Sequence, residues 1–126
     1  INKKFHVYIK MKSFKDSHPF ENRKDEAERM LEKYPDRIPC IIEKHHSSKL
    51  PDIDKKKFLV PTDLSVGQLI HVIRKRVSIP PEMAIFLLIN NTMPPTSQTL
   101  TAVYNLHKSE DKFLYCIYNG ENTFGK

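Results

Sequence analysis

Residues 55–76, KKKFLVPTDLSVGQLIHVIRKR, contain the strand-to-helix passage from which the rest of the chain can be read. Lys55, Lys56 and Lys57 lead into the short apolar run Phe58–Val60, and Pro61 closes it. That is a strand suited to a sheet edge, where lysines keep unpaired backbone soluble and proline is tolerated. Four residues on, Ser65 is followed at the third position by Gln68, the pair that caps a helix N-terminus reciprocally. Val66, Leu69, Ile70 and Ile73 then recur at helical spacing and form one apolar stripe.

Upstream, RIPCIIEK (37–44) reads as a strand with Ile38, Cys40 and Ile42 on one face, and Pro39 marks either an edge or a strand start. The polar HHSSKLPDID (45–54) joins it to the lysine-led strand, so 37–61 is a hairpin with a long loop. Before it, SHPFENRKDEAERMLEKYP (17–35) is a helix: Pro19 and Glu21 suit its first turn and Pro35 ends it. Phe20, Ala27, Met30, Leu31 and Tyr34 recur on it at helical spacing, and a short helical turn is expected at Ser13–Ser17. Downstream, AIFLLIN (84–90) is apolar on both sides, the pattern of a central strand parallel to its partner. A turn (NNTMPP, 90–95), a short helix (97–108), the strand KFLYCIY (112–118) and the exposed tail NGENTFGK (119–126) complete the chain. Helix, helix, strand, strand, helix, strand, helix, strand predicts an α+β fold. Its core is a ubiquitin-like β-grasp, a four-stranded mixed sheet with a crossing helix, preceded by two N-terminal helices. The divisions expected are an extension at 1–10, a helical subdomain at 11–36, the ubiquitin-like core at 37–119 and a flexible tail at 120–126.

Composition narrows the function classes. A chain of 126 residues with 39% hydrophobic and 29% charged residues fits one globular domain. No apolar run approaches the roughly 20 residues that span a bilayer. The N-terminus has no signal-peptide pattern, which is the expectation for an intracellular protein. The chain starts on Ile, and Met11 has the look of an initiator, so 1–10 is either upstream native sequence or an appended segment. Its Phe5, Val7 and Ile9 alternate as in a strand. Cys40 and Cys116 both fall in apolar strands and read as buried thiols of a reducing compartment; no Cys-x-x-Cys exists to hold zinc or run redox chemistry. The net charge of +6 is uneven: residues 1–60 hold 15 Lys/Arg against 10 Asp/Glu, the remainder 6 against 5. With Lys3, Lys4 and Lys10 supplying half of the net charge, the body is only mildly basic, and the basic runs at 55–57 and 74–76 have few exposed rings nearby. A nucleic-acid binder is therefore disfavoured, whereas a basic N-terminal face suits acidic peptides or anionic membrane. An enzyme is disfavoured too. His45 and His46 are a loop pair without a third ligand at metal spacing, and strand cysteines make poor nucleophiles. The expectation is no catalytic residue, no metal and no cofactor.

KYPDRIP (33–39), DKKKFLVPTDLSVGQLIHVIRKR (54–76), NNTMPPTS (90–97) and FLYCIYNGENTFG (113–125) together resemble the autophagy ubiquitin-like modifiers, the family of the GABA-receptor-associated proteins and the microtubule-associated light chains. The resemblance runs from about Met11 to Gly125. It implies a precursor that a processing cysteine protease trims after Gly125, removing Lys126. Activating and conjugating enzymes then pass the Gly125 carboxylate to phosphatidylethanolamine, so that a cytoplasmic protein comes to decorate autophagosomal membranes. It implies a monomer that recruits cargo receptors through aromatic-x-x-aliphatic peptide motifs. The alternative is a ubiquitin-like peptide-binding adaptor that is never conjugated.

The resemblance also implies site residues. The aromatic pocket is expected from Glu26, Met30, Pro39, Ile41, Lys57, Leu59 and Phe113, and the aliphatic pocket from Phe58, Val60, Pro61, Leu64, Leu69 and Val72. Arg37, Lys55, Lys56 and Arg76 are expected to meet acids flanking the motif. Glu26 and Met30, four apart, share a helix face distinct from that of Phe20, Ala27 and Leu31, as for a helix packed on one side and used on the other. From periodicity alone, Ile41, Leu59, Leu64 and Phe113 read equally as core. Where relatives carry more rings, 85–89 (IFLLI) has only Phe86, which leaves the family's second docking surface there open.

Overall fold

The computed structural model describes residues 13–121. Two helices come first, α1 (Phe14–Ser17) and α2 (Phe20–Lys33), followed by β1 (Arg37–Lys44), β2 (Lys57–Pro61), α3 (Val66–Val77), β3 (Phe86–Ile89), α4 (Leu100–His107) and β4 (Leu114–Asn119). The expected extension at 1–10 and the end of the tail, with Gly125 and Lys126, lie outside the described residues.

One mixed sheet holds the four strands in the order β2-β1-β4-β3. β1 and β4 run parallel at its centre, while β2 and β3 flank them antiparallel. The 37–61 hairpin is therefore present, with Ile38 opposite Val60 and Cys40 opposite Phe58. Two expectations are corrected. β3 is an edge strand, antiparallel to β4. It is apolar on both sides because Leu87 and Ile89 enter the core while Phe86 and Leu88, on the other face, remain half-buried beside Ile117. The central parallel pair is instead β1 and β4. Pro39, for its part, lies in a central strand. Ile42 N–H bonds Lys56 C=O across the hairpin, so by alternation the nitrogen of Pro39 points toward β4, whose pairing with β1 begins only at Cys40. A missing N–H costs no ladder bond there.

Two apolar clusters sit on the two faces of the sheet. The larger joins Ile38, Cys40, Ile42, Val60, Leu114, Cys116 and Tyr118 to Val66, Leu69, Ile73 and Val77 of α3 and Leu100 and Val103 of α4. The smaller joins Phe14, Ala27, Ile41 and Phe113, with Met30 and Tyr115 packed against it, so α1 and α2 cover the opposite face. Local signals explain the element ends. Ser65 Oγ accepts from Gln68 N–H while Gln68 Oε1 accepts from Ser65 N–H, completing the capping box. Ser78 ends α3 in the left-handed region (φ 59°), with Ile79 N–H reaching back to Arg74 C=O. Asn90 and Asn91, both at positive φ, make the tight turn closed by reciprocal Ile89–Thr92 backbone bonds. Among the described residues no helix is long and apolar enough to cross a membrane.

Candidate functional site

Among the described residues β2 ends the sheet, and one side of its backbone has no partner strand there. The parity set by the Ile42–Lys56 bond turns Phe58 and Val60 toward β1 and leaves the N–H and C=O groups of Lys57 and Leu59 pointing outward. Beside this edge, between β2 and α3, lies a cleft of about 260 Å³. Its walls include Phe58, Val60, Pro61, Leu64, Leu69 and Val72, every residue expected in the aliphatic pocket. Val60 and Leu69 are buried, whereas Val72 is 45% exposed. Ile42, Ile53, Ile73 and Arg76 also line the cleft, as does Leu59, which the resemblance assigned to the other pocket.

The residues expected in the aromatic pocket gather on the sheet's other face. Pro39 lies opposite Leu59 and Ile41 opposite Lys57, and cross-strand pairs share a face. Phe113 and Ile41 are fully buried beneath α1 and α2, in edge-to-face contact with Phe14 in the case of Phe113 (5.5 Å between centroids). They are interior residues, as periodicity also allowed. Glu26 forms an ion pair with Lys57 that ties α2 to the edge strand. Met30 packs on the same cluster as Ala27 rather than on an opposite helix face, while Phe20 is 40% exposed with Arg23 over its ring. The helix is thus not divided into a packed side carrying Phe20 and a used side carrying Met30.

Of the four cations expected to meet acids, Arg37 is exposed at the start of β1, and two have acids of this chain beside them. Lys56 reaches Glu43 at 3.0 Å and Arg76 reaches Asp54 at 3.0 Å. Lys55 lies over the Phe58 ring.

Sequence reasoning missed the group that docks the N-terminal helices. Asp111, with no exposed surface, accepts from Arg23 Nε (2.8 Å), from the Tyr115 hydroxyl and from Phe113 N–H (3.0 Å). Arg23 also donates to the carbonyls of Lys15 and His18, joining α1, α2 and the turn before β4. Burial pushes the Asp111 carboxyl up, but Tyr115, Arg23 and the Phe113 amide outweigh it and hold the group below its ordinary value. Tyr115 is raised, by burial and then by Asp111. The available signal was the local Asp-x-Phe turn at 111–113; its partner Arg23 lies 88 residues away.

Cys40 and Cys116 are free and buried, and the adjoining Cys116 thiol, then burial, push Cys40 well above its ordinary value. His45 and His46 stack at 4.4 Å between centroids; among the described residues no three His, Cys, Asp or Glu side chains come together as metal ligands.

Comparison with known proteins decides the family. Residues 22–125 match the family model described as "Autophagy protein Atg8 ubiquitin like". The chain belongs to the Atg8 family. It is 58% identical over 113 residues to Autophagy-related protein 8 of Vanderwaltozyma polyspora, which spans 90% of this chain and 96% of that protein. With Autophagy-related protein 8d of Arabidopsis thaliana it is 57% identical over 113 residues, 90% of this chain and 94% of the relative. The crystal structure of Trypanosoma brucei ATG8 superposes with a TM-score of 0.83 at 46% identity, covering 92% of this chain and all of that one. The Atg8 assignment fixes the ubiquitin-like fold read from the element order, and it makes the chain an autophagy ubiquitin-like protein.

Proposed function

We propose that this Atg8-family chain is a conjugated adaptor. Its edge strand β2 takes up an extended aromatic-x-x-aliphatic peptide, and its tail is joined through Gly125 to phosphatidylethanolamine. The observation that carries the first half is the outward backbone of Lys57 and Leu59 lying beside an apolar cleft. Backbone bonds along an added strand supply affinity, and pockets on either side of it supply selectivity. The aliphatic side chain enters the cleft between Phe58, Val60, Leu64 and Val72. The aromatic one seats against Glu26, Met30, Pro39, Lys57 and Leu59, with Ile41 and Phe113 as the floor. Arg37, Lys55, Lys56 and Arg76 attract acids flanking the motif.

For the second half, the chemistry of the tail is apt. A C-terminal acyl group passed between thiols and an amine is least crowded at glycine, which has no Cβ. Phe124 offers the enzymes a hold, and Lys126 is the residue a cysteine protease removes. The amide so formed carries two acyl chains, beyond the single chain that binds membranes only marginally. On this reading the helical subdomain (11–36), ubiquitin-like core (37–119) and tail (120–126) divide the labour. The partners are the processing protease, the activating and conjugating enzymes and the cargo receptors; the protein acts as a modifier rather than a catalyst, moving from cytoplasm to autophagosomal membrane.

Titration with an acidic aromatic-x-x-aliphatic peptide tests the edge. Lys57→Ala with Leu59→Ala is expected to weaken binding at least tenfold, and an unchanged curve overturns the assignment. In a reconstituted conjugation reaction Gly125→Ala is expected to yield no lipidated product while peptide binding persists. A normal lipidated band contradicts the role of Gly125, and a wild-type chain that is never lipidated leaves the unconjugated adaptor.

A further inference from the structure

Arg76 stands at the rim of the cleft with its charge already engaged. Its Nε lies 3.0 Å from Asp54 Oδ1 and its terminal nitrogen 3.3 Å from Oδ2, a forked contact between the last turn of α3 and the residue just before the lysine run. The same guanidinium lies 5.4 Å from the Phe58 ring centroid, and Lys55 Nζ lies 5.0 Å from that ring. Phe58 and Arg76 both line the cleft. The neighbouring Arg74 is turned elsewhere, donating to the carbonyls of Pro80 and Met83.

We propose that Asp54 is a built-in competitor for Arg76, and that a peptide carrying a carboxylate beside its aliphatic anchor binds by taking Asp54's place. This rests on the cleft being the aliphatic pocket. Asp54 and Arg76 have 66% and 38% of their side chains exposed, so the pair is held by geometry rather than by burial and can exchange partners. Asp54 takes up the side-on fork of the guanidinium, Nε and one terminal nitrogen, which is the bidentate geometry an incoming carboxylate would use. An incoming acid therefore gains that fork only by displacing Asp54, and a second carboxylate beside the first would repel it. A neutral side chain at that position gains nothing from the release. The device selects against weakly matched ligands: it lowers the advantage of acidic peptides to what remains after exchange, and keeps Phe58 covered by cations when the cleft is empty. The Arg76 hydrogen bond also lowers the Asp54 carboxyl below its ordinary value, which gives the exchange its own readout.

Fluorescence anisotropy on the full chain with two aromatic-x-x-aliphatic peptides, one with Glu and one with Gln beside the aliphatic residue, tests the idea. Asp54→Asn is expected to tighten the Glu peptide about two- to five-fold, the range of an exposed ion pair, and to leave the Gln peptide unchanged. Arg76→Gln is expected to erase the preference for Glu, and adding Asp54→Asn to it to change nothing further. Asp52→Asn removes the same charge two residues away, where it meets Lys44 instead, and is expected to have no effect. By NMR, the Asp54 carboxyl is expected to titrate at higher pH when the Glu peptide is bound and not when the Gln peptide is. The proposal is overturned if Asp54→Asn shifts both peptides equally or neither, or if Asp52→Asn acts as it does. Failure of both peptides to bind the wild-type chain overturns the cleft reading itself, and the competitor with it.

Discussion

Replacing Asp111 by Asn removes one fully buried charge without changing the size of the side chain. The carboxylate answers Arg23, the Tyr115 hydroxyl and the Phe113 amide. Asparagine keeps one acceptor oxygen but turns an NH2 group toward donors and leaves Arg23 without its counter-ion. Breaking a buried pair at one partner costs about 3–5 kcal/mol. Arg23 retains the Lys15 and His18 carbonyls, and its side chain is 12% exposed, so the lower end applies, about 3 kcal/mol. At this chain length that is roughly 10 °C in Tm. Urea unfolding followed by circular dichroism measures it, with Tyr115→Phe, expected to cost about 1 kcal/mol, for scale. The effect has a signed pH dependence. Because the folded carboxyl titrates below its ordinary value of 3.8, its stabilisation is complete above that value and is lost as pH falls below about 4. The gap between wild type and Asp111→Asn should therefore be constant from pH 7 to 5 and close under acid. A loss below 1 kcal/mol, or a gap that widens under acid, refutes the network as the clamp on α1 and α2.

Other expectations are simpler. Ser65→Ala opens the capping box of α3 and should cost about 1 kcal/mol by urea unfolding. Cys40 and Cys116 should both resist a thiol reagent in the native chain and both react in denaturant, since neither is exposed and Cys40 is held protonated. Burial, then His46, lowers His45 below its ordinary 6.5, so NMR should find it titrating low and His46→Ala should move it upward; as pH falls from 6.5 toward its folded value, the loop should lose stability.

Much of this was legible in the chain because the signals are local. The Ser65–Gln68 box and the stripe Val66, Leu69, Ile73 place α3 without any tertiary knowledge, and the lysine-led run 55–61 lies at a sheet edge as its composition suggests. The residues that the resemblance assigned to an aliphatic pocket all line one cleft, though that they bind a peptide there is the proposal above. What failed was non-local. The double-sided apolar pattern of Phe86–Ile89 reports burial on two faces, but it cannot report which strand pairs with which edge. Nor can helical spacing separate Met30 from Ala27, since both lean on Ile41 and Phe113 through a cluster assembled from four segments. The pairs Arg23–Asp111 and Asp54–Arg76 join residues 88 and 22 apart, and no pattern in one sequence links them.

Amide hydrogen exchange along β2, with and without a saturating aromatic-x-x-aliphatic peptide, tests the edge-strand account most directly. Lys57 and Leu59 point outward and Phe58 and Val60 toward β1. Binding as an added strand should slow exchange at Lys57 and Leu59 at least tenfold while changing Phe58 and Val60 little. Saturable binding that leaves Lys57 and Leu59 exchanging at their free rates would contradict it.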